Sequence, residues 1–151
     1  MRKIVPVAAL LFLLNAFAQV NSQSAAAALK ARADAAQGGE RANLSLEYAH
    51  HQLEEANNLY TQGDVEKAEA NIQEVLAYCH QSADAASTSG KRLKQTEIEL
   101  RKLENRMRDI GQSLNIDDRP PVEAAVQELE QVRAGLLAKM WGDKAEPKDK
   151  S

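Results

Sequence analysis

Small and apolar residues recur at alternating steps of three and four along the middle of the chain, from Val65 to Leu114. Large apolar side chains dominate both ends of this series, whereas its centre keeps the step with serine and alanine. A period of 3.5 residues keeps one face of a helix turned toward a neighbouring helix. The whole series, called the ladder below, is Val65, Ala68, Ile72, Val75, Cys79, Ser82, Ala86, Ser89, Leu93, Thr96, Leu100, Leu103, Met107, Ile110 and Leu114.

The uninterrupted step of the ladder favours one continuous helix B over residues 64–115, about 75 Å long at 1.5 Å per residue. Residues 82–90 carry no large side chain, and Ser-Thr-Ser-Gly at 87–90 has low helix propensity. We therefore expect a bend at 87–90. The alternative is a break there, which would give four or five shorter helices.

A second apolar series predicts helix A over residues 40–61. Gly63 suits a left-handed helix end, and Asp64 is a good cap for the next helix. A connection this short makes helices A and B antiparallel neighbours. Leu44, Tyr48 and Leu59 lie off the seam and widen the apolar face, so helix A is expected to touch more than one neighbour. The seam residues are Ala42, Leu46, Ala49, Leu53, Ala56 and Tyr60.

The residues around this turn resemble one helical hairpin of a tetratricopeptide repeat, over about residues 53–76. The positions that carry the resemblance are Ala56, Leu59, Gly63, Ala68, Ile72 and Val75. The resemblance implies an antiparallel hairpin of two helices. Repeats of this type need about three stacked copies, and the sequence holds one, so peptide binding is not carried over.

Pro120 and Pro121 end helix B and begin helix C, predicted over residues 121–140 and folded back along residues 96–114. Its apolar face includes Val122, Leu129 and Leu136. The expected fold is all-α: an elongated antiparallel three-helix bundle, or coiled coil, around one long central helix. The bundle spans residues 40–141, after an Ala-rich helical or flexible lead segment at 19–39. The tail at 142–151 is polar, with Pro147, and is expected to be disordered.

The first 18 residues read as a secretory signal peptide. Arg2 and Lys3 precede an apolar run, and Ala16-Phe17-Ala18 forms a cleavage motif. We expect cleavage near Ala18–Gln19 and a periplasmic or extracellular protein. The chain from 19 onward then has 17 basic and 22 acidic residues, a net charge of −5, which argues against nucleic-acid binding.

Charge along the chain is uneven. Residues 40–79 hold eight acidic and two basic residues, while residues 91–108 hold seven basic and three acidic ones. Lys94, Arg101 and Arg108 are spaced by seven and form a stripe on one helix face, a candidate site for a partner. Such a stripe suits an anionic envelope polymer or lipid headgroups. The competing interpretation is that Glu–Arg pairs four apart only solubilise the helix.

Two glycine-containing sites are expected at one height. Folding back about residues 62–63 brings Gly38 and Gly39 opposite the small-residue belt, which ends at Ser89 and Gly90. We predict either a close helix crossing or a shared hinge there. A tolerated run of small residues is the alternative.

No residue pattern indicates catalysis, and we expect no enzyme, no cofactor and no metal site. His50, His51, Cys79 and His80 are the only soft ligands near one another, without the spacing of a metal site. Cys79 is expected to fill the core, with an intermolecular disulfide as the alternative.

These features predict an exported scaffold or protein-interaction protein of the cell envelope. Its partner would be an unidentified protein or a second copy in a homodimer. The alternative is a small periplasmic chaperone-like or ligand-binding bundle, which would use a concave surface around the small-residue belt.

Overall fold

The computed structural model describes residues 23–145, and side chains from 23 to 142. The described residues form helices and turns only, so the all-α prediction is confirmed. Helix α1 covers residues 23–35. It is followed by α2 (Gly38–Gln62), α3 (Val65–Ser89), α4 (Leu93–Ser113), a short 3₁₀ helix (Ile116–Asp118) and α5 (Arg119–Ala145).

The single long helix expected at 64–115 is wrong, because α3 and α4 are separate helices. Gly90 ends α3 in the left-handed region at φ 65°, and Arg92 adopts φ 63° just before α4. The Ser89 hydroxyl donates to the Ala85 carbonyl at 2.6 Å and accepts from the Lys91 amide at 3.3 Å. A serine that bonds the backbone in this way competes with helix continuation.

The α2–α3 turn forms as predicted at Gly63, but its cap differs. Gly63 has φ 79°, and the Asp64 amide donates back to the Leu59 carbonyl at 2.9 Å, which satisfies the end of α2. Asp64 precedes α3 without a side-chain bond to a helix amide. Its carboxylate instead binds the Lys67 ammonium at 2.6 Å.

Four helices, rather than three, pack side by side. Helix α2 packs chiefly against α3, and α4 chiefly against α5, while α3 also contacts α5 and α2 contacts α4. Because α3 and α4 fold back on each other, α4 runs parallel to α2. Helix α5 returns along α4, as predicted for helix C, and α1 packs on the α2–α3 side.

The ladder faces the core in both α3 and α4. Ile72, Val75 and Cys79 from α3 are fully buried, as are Leu100 and Leu103 from α4. The step from Ser89 to Leu93 equals a ladder step, although it crosses the break. Continuity of the pattern therefore reflects two helices that share one core.

Several predicted boundaries shift. Helix α5 continues to Ala145, so residues 142–145 are helical rather than part of the predicted tail. The lead segment contains α1, separated from α2 by residues 36–37. The predicted signal peptide (1–18) and the remainder of the tail lie outside the described residues.

Candidate interaction surface

Two basic residues of α4, Arg106 and Lys102, bind nearby carboxylates. Arg106 binds Glu54 of α2 through two hydrogen bonds, at 2.8 Å from Nε and 3.0 Å from Nη2. Lys102 binds Glu99 within α4 at 2.9 Å. Paired guanidinium–carboxylate bonds of this type are strong and directional, so Arg106 fixes α4 against α2.

Arg108, the third residue of the predicted stripe, belongs to an ion-pair network between α4 and α5. It binds Glu104 at 2.7 Å and Glu130 at 2.8 Å, while Arg133 of α5 binds both Glu104 and Glu97. Glu104 is 4% exposed. Burial alone would raise the pKa of Glu104, but the guanidinium groups of Arg133 and Arg108 lower it below the usual value.

The other two members of the stripe, Lys94 and Arg101, are exposed. Within residues 23–142, neither forms an ion pair, and the same holds for Lys91 and Arg92 at the α3–α4 turn. The structure thus divides the stripe. Arg108 acts between helices, whereas Lys94 and Arg101 remain available at the surface.

Trp141 and two aliphatic side chains lie at similar heights along the bundle to these cations. The antiparallel pairs Arg133–Glu97 and Arg108–Glu130 set the register of α5 against α4, and this register places Trp141 level with Lys94. Trp141 is 67% exposed. Ile98 of α4 and Leu137 of α5 are partly exposed, at heights between those of Lys94 and Arg101. We call this surface the α4–α5 edge; it comprises Lys94, Ile98, Arg101, Leu137 and Trp141.

The four predicted hinge residues lie close together. A Cβ added to Gly38 would lie 3.5 Å from Cβ of Ser89, and the stem of Arg92 crosses Gly39 at 3.3 Å. Nearby, the Ser82 hydroxyl donates to the Ala42 carbonyl at 2.8 Å. This is the close crossing predicted as one alternative. The small-residue belt is packed against α2, with Ser82 and Ala86 fully buried.

A tyrosine cluster that the sequence analysis did not predict attaches α1. The rings of Tyr48 and Tyr78 meet edge to face at 4.4 Å between centroids, and the Lys30 ammonium lies 5.7 Å from each centroid. The Tyr78 hydroxyl donates to Asp34 at 2.8 Å, and Lys30 binds Glu74 at 2.9 Å. In the sequence, the available signal for this attachment was the spacing of Lys30 and Asp34, which are four residues apart and so lie on one helix face.

Burial also changes the acidity of both tyrosines. Burial, together with Glu74, raises the pKa of Tyr48 to about 12. Burial, the hydrogen bond to Asp34 and the negative charge of Asp34 raise the pKa of Tyr78 above its ordinary value. Both hydroxyls therefore stay protonated, and so able to donate, throughout the neutral range.

The soft ligands are not brought together. His50 pairs with Glu99 at 3.3 Å and His80 with Glu128 at 2.8 Å, on different sides of the bundle. Cys79 is fully buried, which raises the pKa of its thiol, and it packs as core filler. In the part of the chain that the structure describes, no group of three His, Cys, Asp or Glu residues is arranged to hold a metal ion.

Two larger grooves lie away from the α4–α5 edge. One of about 540 Å³ runs between the start of α2 and the end of α3, lined by Arg41, Asp84 and Thr88 among others. Another of about 590 Å³ lies beside α1 and includes His51 and Gln52. Both are open and lined by mixed polar and small side chains.

Comparison of the chain with protein-family models, with curated proteins and with solved structures finds no match. Within residues 23–145, none of the helices has the length and apolar character needed to cross a membrane.

Proposed function

We propose that this chain is an exported, non-enzymatic helical scaffold or interaction protein of the cell envelope, acting through the α4–α5 edge. The observation that supports the proposal is the division of the α4 cations. Arg106 and Arg108 join helices, while Lys94 and Arg101 are exposed, form no ion pair within residues 23–142, and share the α4–α5 edge with an exposed tryptophan. Exposed apolar groups next to unpaired charges are typical of interaction surfaces.

The test is retention of the protein in the envelope of the cell that produces it. Lys94→Glu and Arg101→Glu reverse charges on the edge, and Arg32→Glu is the matched control, since Arg32 is an exposed cation of α1 with no ion pair among the described residues. The wild type and the Arg32→Glu variant are expected to stay in an envelope-associated complex that survives gentle washing. The two edge variants are expected to be released.

Equal retention of all four proteins would exclude the α4–α5 edge as the contact surface. Circular dichroism checks that each variant is folded. Surface substitutions away from packed or paired groups usually change stability by less than about 0.5 kcal/mol, so all three variants should keep the wild-type helical signal.

A further inference from the structure

Three of the four cations of α4 and its preceding turn that form no ion pair within the described residues lie at one end of the bundle. Lys91, Arg92 and Lys94 fall within four residues, and Arg101 follows two helical turns later. All four side chains are exposed, and none forms an ion pair within the described residues. This end therefore carries a local positive charge on a protein whose sequence is acidic overall.

Trp141 adds an apolar group at the same height. Its indole is 67% exposed and level with Lys94, and the partly exposed Ile98 and Leu137 continue the apolar strip between Lys94 and Arg101. Tryptophan is enriched at membrane–water interfaces because its ring is apolar and its N–H is polar. Long basic side chains reach from such a strip to anionic headgroups.

The chemistry of the edge favours a bilayer over a peptide. Four grooves in the described residues are lined by other side chains and not by those of the edge. Exposed cations on α4 and its preceding turn, together with an exposed indole, suit an anionic lipid surface. Clusters of four to eight Lys or Arg residues are typical of anionic lipid recognition.

We propose that the α4–α5 edge, with Lys91 and Arg92, docks the protein on an anionic lipid bilayer surface. The proposal rests on the proposed function and names the partner of the same edge. The bundle lies on the surface with Trp141 at the level of the headgroups. Each basic side chain near the surface adds to the affinity, and the affinity falls with salt.

The experiment uses the chain from residue 19 and two vesicle preparations, pure phosphatidylcholine and phosphatidylcholine with about one-third phosphatidylglycerol. Trp141 is the only tryptophan in the sequence, so its emission reports on this edge alone. We expect co-sedimentation and a blue shift of the emission with anionic vesicles, and neither with neutral ones. Lys94→Glu and Arg101→Glu should each weaken binding by about 10-fold or more.

Arg32→Glu is the control for the change in net charge and should bind within about 2-fold of the wild type. Three results would overturn the proposal: no binding to anionic vesicles, equal loss in the control and edge variants, or binding without a shift of the Trp141 emission. If vesicle binding fails while the edge variants are still released from the envelope, the partner of the edge is a protein or polymer. In that case the proposed function stands and the lipid assignment falls.

Discussion

At the scale of single residues, Glu104 and Arg133 are the most consequential polar pair. Glu104 is nearly buried between α4 and α5, and Arg133 spans Glu97 and Glu104. A buried carboxylate is tolerated only when it is paired, because the loss of one partner leaves an uncompensated charge. Arg108 and Arg133 therefore stabilise the α4–α5 contact by compensating the charge of Glu104.

We expect Arg133→Ala to lower the free energy of unfolding by about 2 kcal/mol, since Glu104 then keeps only Arg108. The matched control is Arg101→Ala on the exposed side of α4, expected to change stability by less than about 0.5 kcal/mol. Urea denaturation followed by circular dichroism measures both values. Equal, small effects would mean that the network contributes nothing to stability.

The lowered pKa of Glu104 also predicts a pH dependence. A carboxylate with a lowered folded-state pKa stabilises the fold above its unfolded pKa, about 4.3, and this stabilisation is lost as the pH falls through the folded-state pKa. The wild type should therefore exceed Glu104→Gln in stability at pH 7. The difference should shrink steadily in urea titrations below about pH 4. A constant difference across the range would contradict the assignment.

At the scale of elements, the α3–α4 break and the attachment of α1 determine how the helices are arranged in the bundle. Gly90 and Arg92 take left-handed backbone conformations that a continuous helix does not contain. Helix α1 is attached through Lys30 and Asp34, which bind Glu74 and Tyr78, and through the buried Ala26 and Ala33. Both features depend on a few residues, and each can be tested with a single substitution.

Gly90→Ala tests the break. Space around Gly90 is open, so an added methyl group meets no neighbour. The substitution should lower the free energy of unfolding by about 1 to 2 kcal/mol, because alanine disfavours the left-handed backbone. Gly135→Ala is the control, because Gly135 lies inside α5 with open space around it. This variant should be more stable than the wild type by about 0.5 to 1 kcal/mol. Thermal or urea denaturation measures the stability of both variants against the wild type. Stabilisation by Gly90→Ala would instead indicate a continuous helix.

Tyr78→Phe tests the attachment of α1. Loss of the hydrogen bond to Asp34 should weaken docking by about 1 kcal/mol, and amide hydrogen exchange in residues 23–35 should accelerate about 5-fold. Tyr60→Phe is the control, because the Tyr60 hydroxyl is buried and has no hydrogen-bond partner within residues 23–142. Unchanged exchange in Tyr78→Phe would show that α1 is held by other contacts.

At the scale of the whole molecule, the break converts a long rod into a short bundle. The longest helix, α5, has 27 residues, or about 40 Å, against about 75 Å for the helix expected from the sequence. The fold also separates charge: the cations at the α3–α4 turn and on the α4–α5 edge form no ion pair with any side chain of residues 23–142. A compact body with one cationic edge has a defined orientation on a charged surface.

Distance measurement between spin labels tests this shape. Labels at Glu66, near the start of α3, and Gln112, near the end of α4, should lie within about 30 Å, because both sites are at one end of the bundle. A continuous helix would separate them by about 70 Å. The background is Cys79→Ala, which prevents labelling of the native thiol. A distance near the longer value would reject the folded arrangement.

Sequence alone determined the helical class, the apolar faces and the α2–α3 turn, because these depend on local periodicity and on Gly63. It also placed Gly38 and Gly39 opposite the small-residue belt and predicted a helix returning along residues 96–114. Only the tertiary structure decided whether the ladder was one helix or two, because a four-residue step across the break preserves the same register. The tertiary structure also decided which residues of the basic stripe join helices and which stay exposed. Arg108 binds Glu104 and Glu130, whereas Lys94 and Arg101 stay exposed, and this difference depends on how α5 packs rather than on spacing within α4.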